Sequence, residues 1–422
     1  MSTLSDPPKQ SFRLSMLIYD TRYRSATIQV VAMIGFLILV GWVISNTVQN
    51  LTDLGKEPSF SFLSEPAGYD INQRLLDYDN QDSHMRAALI GLLNTLLVAF
   101  LGCITATVLG VIIGVLRLSS NWLVARLMTV YVEMFRNVPV LLWIVFIMAI
   151  MIETLPAPSA FRGDNSDAAM HVMDSVALTN RGVYVPEPLF HNSLGNVSVF
   201  GDAAVRFDIS LDLIAFLIVL GGSLFVSTKI RQWADAKQES TGLRPTIWHI
   251  RAAVVLLPSV LLLLVLGFHL GYPELKGFNF QGGTHMRNSL IALWLALSLY
   301  TAAFIAEIVR SGILAISQGQ TEAAAALGLR PKRIMNLVIL PQALRVIIPP
   351  LISNYLNLTK NSSLAIAVGY MDLTGTLMGI TMNQTGRELE TVMLGMLVYL
   401  TISLLISSFM NWYNNRVKLV ER

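Results

Sequence analysis

The chain alternates between long apolar runs and shorter segments rich in charged residues, proline and glycine. A helix that crosses the hydrocarbon core of a bilayer needs roughly 20 mostly apolar residues. Runs of about that length predict membrane-spanning helices at approximately 26–48, 89–116, 136–152, 209–227, 251–270, 289–315, 337–358 and 391–410. The third run is the shortest, and Pro139 fits the first turn of its helix. The pattern therefore predicts an all-α integral membrane protein with about eight transmembrane helices.

The composition supports this class and excludes several others. Hydrophobic residues make up 54% of the chain and charged residues 14%, against about 25% charged residues in soluble domains. Cys103 is the single cysteine, and the six histidines show no metal-ligand spacing, so neither a disulfide framework nor a metal site is predicted. No constellation of nucleophile, base and acid stands out, and we predict no enzyme chemistry within the chain.

The distribution of basic residues predicts an orientation, because lysine and arginine concentrate on the cytoplasmic side of membrane proteins. Most of them lie in the terminal tails and in the segments after the second, fourth and sixth runs, while the first loop, 49–88, is acidic. Both termini are therefore predicted to be cytoplasmic. The run at 26–48 is too long for a signal peptide and no small-x-small cleavage site follows it, so we interpret it as an uncleaved anchor helix.

The second long outer segment, 153–208, contains the sequence RGVYVPEPLF. Its alternation and its prolines predict short strands or turns and no further membrane span. A poorly ordered loop and a small folded cap both remain open for this segment.

A different pattern lies between the sixth and seventh runs, in the segment EAAAALGLRPKRIMNLVILP, residues 322–341. Strong helix formers extend from Gln320 to Leu327, Gly328 interrupts them, and Pro331 fits the first turn of a second helix. These features predict a helix, a turn and a helix at the inner membrane surface. The alanines at 323–326 give the first helix a low profile that another protein surface can approach, although an amphipathic linker resting on lipid headgroups would need no more than the basic residues.

The spacing of this segment resembles the EAA loop of ABC importer permeases, the cytoplasmic helix that inserts into a cleft of the ATP-hydrolysing subunit. The matching positions are Glu322, Ala323, Ala324, Gly328, Leu340 and Pro341, whereas Val338 stands where the family often has isoleucine. The flanking residues, 285–415, together with NTLLVAFLG from Asn94 and YVEMFRNVP from Tyr131, are similar to the polar amino-acid (histidine/glutamine-type) branch. The extra first helix and the added spans between 153 and 285 resemble the longer Q-type permease of the general L-amino-acid transporters.

The resemblance implies a domain organisation and a set of partners. It implies a permease core in two parts, 89–152 and 289–410, with a coupling loop at 316–341, an insert at 153–288 and tails at 1–25 and 411–422. The chain lacks the G-x-x-x-x-G-K-[ST] loop that holds nucleotide phosphates, so ATP and Mg²⁺ are expected on separate ATPase subunits and no cofactor is expected here. The resemblance further implies a second homologous permease subunit and a periplasmic amino-acid-binding protein as partners, and a location in the bacterial inner membrane. The implied function is the movement of L-amino acids into the cytoplasm by alternating access.

The same resemblance assigns a substrate pathway. Pro349 and Pro350 are expected to interrupt the seventh span, and the polar run that follows them matches a family stretch facing the passage, which implies that Lys360, Asn361 and Ser362 face the amino acid. Asn361 stands where aspartate is usual, which favours neutral-to-acidic or broad specificity. After it, LAIAVGY is too short to cross and is predicted to be re-entrant.

Two further features of the spans concern Glu307 and a glycine pair. Glu307 lies three residues before Arg310. The two residues either form a structural pair or snorkel to the membrane surface, or they contact the substrate or a gate. Gly110 and Gly114 form a G-x-x-x-G that is typical of close helix packing.

Two other functions remain to be weighed. A secondary transporter driven by an ion gradient usually shows internal repeats and a midplane ion site, and the two halves of this chain show no convincing repeat. A membrane anchor or assembly subunit would leave the polar seventh span unexplained.

Overall fold

The computed structural model describes residues 16–53, 55, 58–162, 167–201 and 205–417. The predicted tails 1–25 and 411–422 therefore lie partly outside the described residues. The chain divides into two units, residues 1–61 and 62–422. In the first unit, α1 (Met16–Tyr19) precedes α2 (Thr21–Asp53), which contains the first predicted span and exposes its apolar side chains.

The helices of the second unit include the other predicted spans and several shorter helices. They are α3 (His84–Leu116), α4 (Trp122–Asn137), α5 (Val140–Thr154), α6 (Leu211–Thr241), α7 (Trp248–Val265), α8 (Asn288–Leu314), α9 (Gln318–Ala326), α10 (Pro331–Ile334), α11 (Leu340–Asn361), α12 (Met382–Thr385) and α13 (Glu388–Val417). Shorter helical segments are 3₁₀ at Ser61–Ser64, Pro158–Phe161 and Ser362–Val368, and π at Met335–Ile339 and Thr374–Thr381. Among the described residues, seven helices are long and apolar enough to cross a membrane, or eight if the bent pair α4–α5 forms one span. The predicted number of spans and the all-α class are confirmed.

The third predicted span has a different start from the one expected. We expected Arg136 and Pro139 within its first turn, but Arg136 ends α4 and the chain bends by 106° before α5 begins at Val140. Val138 is extended, with φ −109° and ψ 133°, because a residue before proline is driven away from the helical region. Pro139 therefore separates two helices at this position.

Helix α8 lies at the centre of the second unit. In the most apolar 18-residue stretch of α8, 67% of the residues are buried. The corresponding share is 33% for α3 and 22% for the segment Pro331–Val368. A Cβ added to Gly110 would lie 2.6 Å from Ile305 Cβ on α8, and one added to Gly114 would lie 2.7 Å from the Ala306 carbonyl oxygen. The predicted packing role of this glycine pair is confirmed, since only glycine lets α3 approach α8 so closely.

The seventh span differs from the expectation at its two prolines. Helix α11 continues through Pro349 and Pro350, which do not break it. Both prolines are exposed, so their rings face away from the packed core, and the Asn354 side chain donates to the Pro350 carbonyl one turn later. Beyond α11, the 3₁₀ segment ends at Gly369, which has φ +67° and turns the chain before the π-helical segment.

The insert between α5 and α8 contains short paired strands. They are β1 (Ala177–Thr179), β2 (Gly182–Val185), β3 (Glu187–Phe190), β4 (Asn196–Val199), β5 (Phe207–Ser210), β6 (Phe268–Gly271), β7 (Glu274–Lys276), β8 (Asn279–Gln281) and β9 (Thr284–Arg287). They form the three-stranded sheet β1-β2-β9 and the antiparallel pairs β3-β6, β4-β5 and β7-β8. The strands predicted from RGVYVPEPLF are confirmed as β2 and β3, on either side of Pro186.

The sheet β1-β2-β9 closes over a small aromatic core. His285 stacks on Tyr184 with ring centroids 4.2 Å apart and planes at 1°, and the Tyr184 hydroxyl donates to Asn279 at 2.9 Å. Burial lowers the pKa of His285, because desolvation disfavours the imidazolium. The described part of this segment is thus a folded structure, which resolves the alternative left open by the sequence.

Candidate coupling loop and translocation pathway

The segment predicted to couple to a partner forms two helices joined by a tight turn. Helix α9 ends at Ala326, and Gly328 adopts φ +76°, in the left-handed region that glycine enters at no steric cost. Its N–H donates to the Ala325 carbonyl at 2.9 Å, and the N–H of Leu329 donates to the Ala324 carbonyl at 3.3 Å. Helices commonly end with a glycine in the left-handed conformation. The predicted arrangement of a helix, a turn and a helix is confirmed.

One face of α9 is exposed among the residues that the structure describes. Glu322, Ala323, Ala325 and Ala326 are exposed, whereas Ala324 is buried. The exposed face therefore consists of small side chains with a carboxylate at one end. Leu327, which the sequence analysis did not single out, is 82% exposed beside it and adds a large apolar contact to the same surface.

The coupling loop is continuous with a membrane-spanning helix. Helix α10 leads through the π-helical segment Met335–Ile339 into α11, whose first two residues are Leu340 and Pro341. Single π-turns within helices occur often at functional sites. The backbone is therefore continuously helical from Pro331 to Asn361, and the turn at 327–330 connects this helix to α9.

Glu307 lies at the end of α8 nearest this loop. One carboxylate oxygen pairs with Arg310 at 3.1 Å, as the spacing predicted, and the other pairs with Arg117, the C-cap residue of α3. Both carboxylate oxygens are thus paired, one within α8 and the other across to the end of α3. The Arg117 contact was not predicted, because a pairing over 190 residues leaves no local signal.

The three polar residues at the end of α11 and the start of the following 3₁₀ segment differ in exposure. Lys360 is exposed, Asn361 is half-buried, and Ser362 is fully buried with its hydroxyl donating to the Thr359 carbonyl at 2.8 Å. Two residues before Lys360, Leu358 lies 3.0 Å from where a Cβ on Gly102 of α3 would be. Glu307 instead meets α3 at Arg117, which is roughly 22 Å further along that helix at 1.5 Å per residue. The structure does not bring Glu307 together with Lys360, and the role of these residues in a pathway stays a prediction.

A buried polar cluster holds the turn beyond this stretch. Asn94 and Thr95 of α3 contact it: the Asn94 amide donates to the Met371 carbonyl at 2.9 Å, and the Leu373 N–H donates to Thr95 at 3.1 Å. Asp372, fully buried, accepts from the Gly375 N–H at 2.8 Å and from the Tyr399 hydroxyl at 3.0 Å.

Sequence reasoning quoted Asn94 for its resemblance alone and missed Asp372. An aspartate immediately before an apolar helical run is an N-cap signal that could have identified it. These contacts attach the turn at 371–373, which follows the candidate pathway residues, to α3 and α13.

The chain is similar to one protein family and to several known proteins. Residues 244–419 match the family described as binding-protein-dependent transport system inner membrane component. The chain is 58% identical over 430 residues to the glutamate/glutamine/aspartate/asparagine transport system permease protein BztB of Rhodobacter capsulatus, covering 100% of both chains. It is 43% identical to the general L-amino acid transport system permease protein AapQ of Rhizobium johnstonii, covering 98% of this chain and 96% of that protein.

Among solved structures, a chain of an amino acid ABC transporter crystallised with histidines aligns at 18% identity with a TM-score of 0.42. It covers 78% of this chain and 94% of that one.

Proposed function

The chain belongs to the family of binding-protein-dependent transport system inner membrane components, and we propose that it carries acidic amino acids and their amides into the cell. It is a permease subunit of an amino-acid ABC importer and not itself an enzyme. The observation that carries the proposal is 58% identity over the full length of a permease named for glutamate, glutamine, aspartate and asparagine. The chain is a multi-span protein of the inner membrane.

The substrate class has a second support within the chain. Asn361 removes a carboxylate from a stretch that the family resemblance places at the passage, and exposed Lys360 precedes it. A lysine without a neighbouring aspartate attracts a side-chain carboxylate and offers nothing to a cationic side chain. Anionic and neutral amino acids are therefore favoured over arginine and lysine.

The proposed mechanism couples ATP hydrolysis on a partner to movement of α11. One ATPase subunit would dock on the exposed face of α9, and a second ATPase subunit would dock on the corresponding helix of a second homologous permease. ATP and Mg²⁺ would be bound entirely by the ATPases. A conformational change needs contacts that differ between its two states, and α9 supplies a surface that only the docked ATPase covers. The unbroken helix from Pro331 to Asn361 carries the displacement to the pathway.

The orientation follows from the same assignment. An ATPase acts in the cytoplasm, so docking at α9 puts both termini on that side and the paired strands of the insert on the periplasmic side, where a binding protein delivers the amino acid. The family that matches this chain is described as an inner membrane component of binding-protein-dependent transport systems, which disfavours the ion-driven alternative.

Competition uptake in whole cells tests the substrate class. The importer is expressed with its binding protein and ATPase in a strain that lacks its own acidic amino-acid uptake, and labelled glutamate is supplied. Unlabelled glutamine, aspartate and asparagine should compete while arginine should not, and uptake should vanish when the P-loop lysine of the ATPase is replaced. Equal competition by arginine would overturn the proposed substrate class without affecting the assignment as a permease.

A further inference from the structure

Helices α6 and α7 form a hairpin whose surface is covered by little of the rest of the chain. Only 11% of the most apolar window of α6 and 6% of that of α7 is buried, against 67% for α8. Large apolar side chains are exposed along both helices, including Ile218 at 68% and Leu257 at 59%. The hairpin therefore presents most of its apolar surface to whatever surrounds the chain.

A groove of about 480 Å³ runs between the two helices. Its lining is apolar apart from Ser223, and it extends past Gly222 to Val226 on α6 and Ala253 on α7. Among the described residues, no atom lies within 4 Å of the place where a Cβ on Gly222 would be, so the floor of the groove is open there. An apolar groove between two helices that are long and apolar enough to cross a membrane matches a hydrocarbon chain.

Two basic residues lie just beyond one end of the groove. Arg251 Nε donates to the hydroxyl of Ser227, the residue after Val226, at 3.0 Å. Lys229 lies two residues further along α6, with its Nζ 5.5 Å from the centroid of the Phe225 ring. Within the described part of the chain, neither Arg251 nor Lys229 has a carboxylate within 4.0 Å.

The neighbouring basic residues are different in this respect. Arg231 and Arg244 both pair with Asp235, at 3.8 and 2.7 Å. Two cations are thus neutralised within the chain, while the two at the end of the groove are not. A charge near an apolar span is costly unless a counter-ion or water meets it, and a guanidinium binds phosphate oxygens in a matching geometry.

We propose that this groove binds one acyl chain of an anionic phospholipid, whose phosphate is held by Arg251 and Lys229. The apolar groove with cations at a single end has the same amphipathic profile as such a lipid, and basic pockets between membrane helices are known to bind anionic headgroups. A protein helix in the groove would have to bring its own carboxylate to the same end. The site lies in the insert, away from the coupling loop and the substrate stretch, so it does not depend on the proposed substrate class.

Native mass spectrometry of the intact transporter tests the proposal. The complex is reconstituted in nanodiscs of equal parts phosphatidylglycerol and phosphatidylcholine, released, and scored for retained lipid. The double variant Lys229→Gln/Arg251→Gln should lose retained phosphatidylglycerol by tenfold or more. The matched control Arg231→Gln/Arg244→Gln removes the same charge from the same segment and should retain it as the native chain does.

The acyl-chain part of the proposal is tested by filling the groove. Gly222→Phe leaves both cations in place and should also reduce retained phosphatidylglycerol. Equal retention by the native chain and the Lys229/Arg251 double variant, equal retention of the two lipids, or full retention by Gly222→Phe would overturn the proposal. So would cross-linking of a Gly222→Cys variant to another subunit, which would show a protein in the groove. The same spectra report ATPase association, so failure of the lipid site is distinguishable from failure of assembly.

Discussion

Replacing Gly328 by alanine should weaken the coupling between this permease and its ATPase. The residue adopts φ +76°, and an added Cβ would meet no atom of the described residues within 4 Å, so the cost comes from the backbone alone. A non-glycine residue in the left-handed region costs about 1–2 kcal/mol, which corresponds to a factor of roughly 5–30 in an equilibrium. We therefore expect binding-protein-stimulated ATP hydrolysis, and the affinity for the ATPase, to fall by about tenfold.

Two further variants isolate the turn as the cause. Gly319 lies in α9 with no positive φ and open space around it, so Gly319→Ala should leave coupling intact and favour the helix by about 1 kcal/mol. Gly328→Asn should retain most of the activity, because asparagine tolerates the left-handed region better than alanine does. If Gly328→Ala couples as well as the native chain at equal protein level, the turn does not position α9 for docking.

Three other predictions concern packing, selectivity and pH. Gly110→Leu should lower the thermal stability of the detergent-solubilised chain by overpacking against Ile305, at a cost of about 1–3 kcal/mol, whereas Gly41→Leu, with nothing within 4 Å, should not; equal stabilities would contradict the close approach. Asn361→Asp should shift competition uptake towards cationic amino acids, and an unaltered profile would remove Asn361 from the substrate pathway. Burial lowers the pKa of His285 below its usual 6.5, so on acidification the unfolded chain protonates this histidine before the folded chain does, and stability should fall as the pH drops below about 6.5. His285→Gln should reduce that pH dependence of the melting temperature, and an unchanged pH dependence would contradict the prediction.

The spans and the coupling loop were predictable because their signals are local. Apolar runs specify membrane helices, and Gly328 followed by Pro331 specifies a helix end and a new helix start within four residues. The same local rules misled at the prolines. Pro139 separates two helices where it was expected inside one, while Pro349 and Pro350 remain within α11 although each proline removes a helical hydrogen bond.

Contacts between distant segments were not predictable from one sequence. The partnership of Glu307 with Arg117, and the contact of Asn94 with the turn at Met371, join positions far apart in the chain. Strands β6 and β9 follow α7, and their pairing partners β3 and β2 precede α6, so two spans separate the paired strands along the chain. Such features depend on how the helices pack, which no residue pattern records.

Uptake into proteoliposomes that contain the purified transporter tests the central claim most directly. The importer account predicts that labelled glutamate accumulates only when ATP is present on the side of the membrane that carries the ATPase and the binding protein is present on the opposite side. It also predicts that ionophores leave the rate of glutamate accumulation unchanged. Accumulation driven by an imposed sodium or proton gradient, without ATP or binding protein, would contradict it.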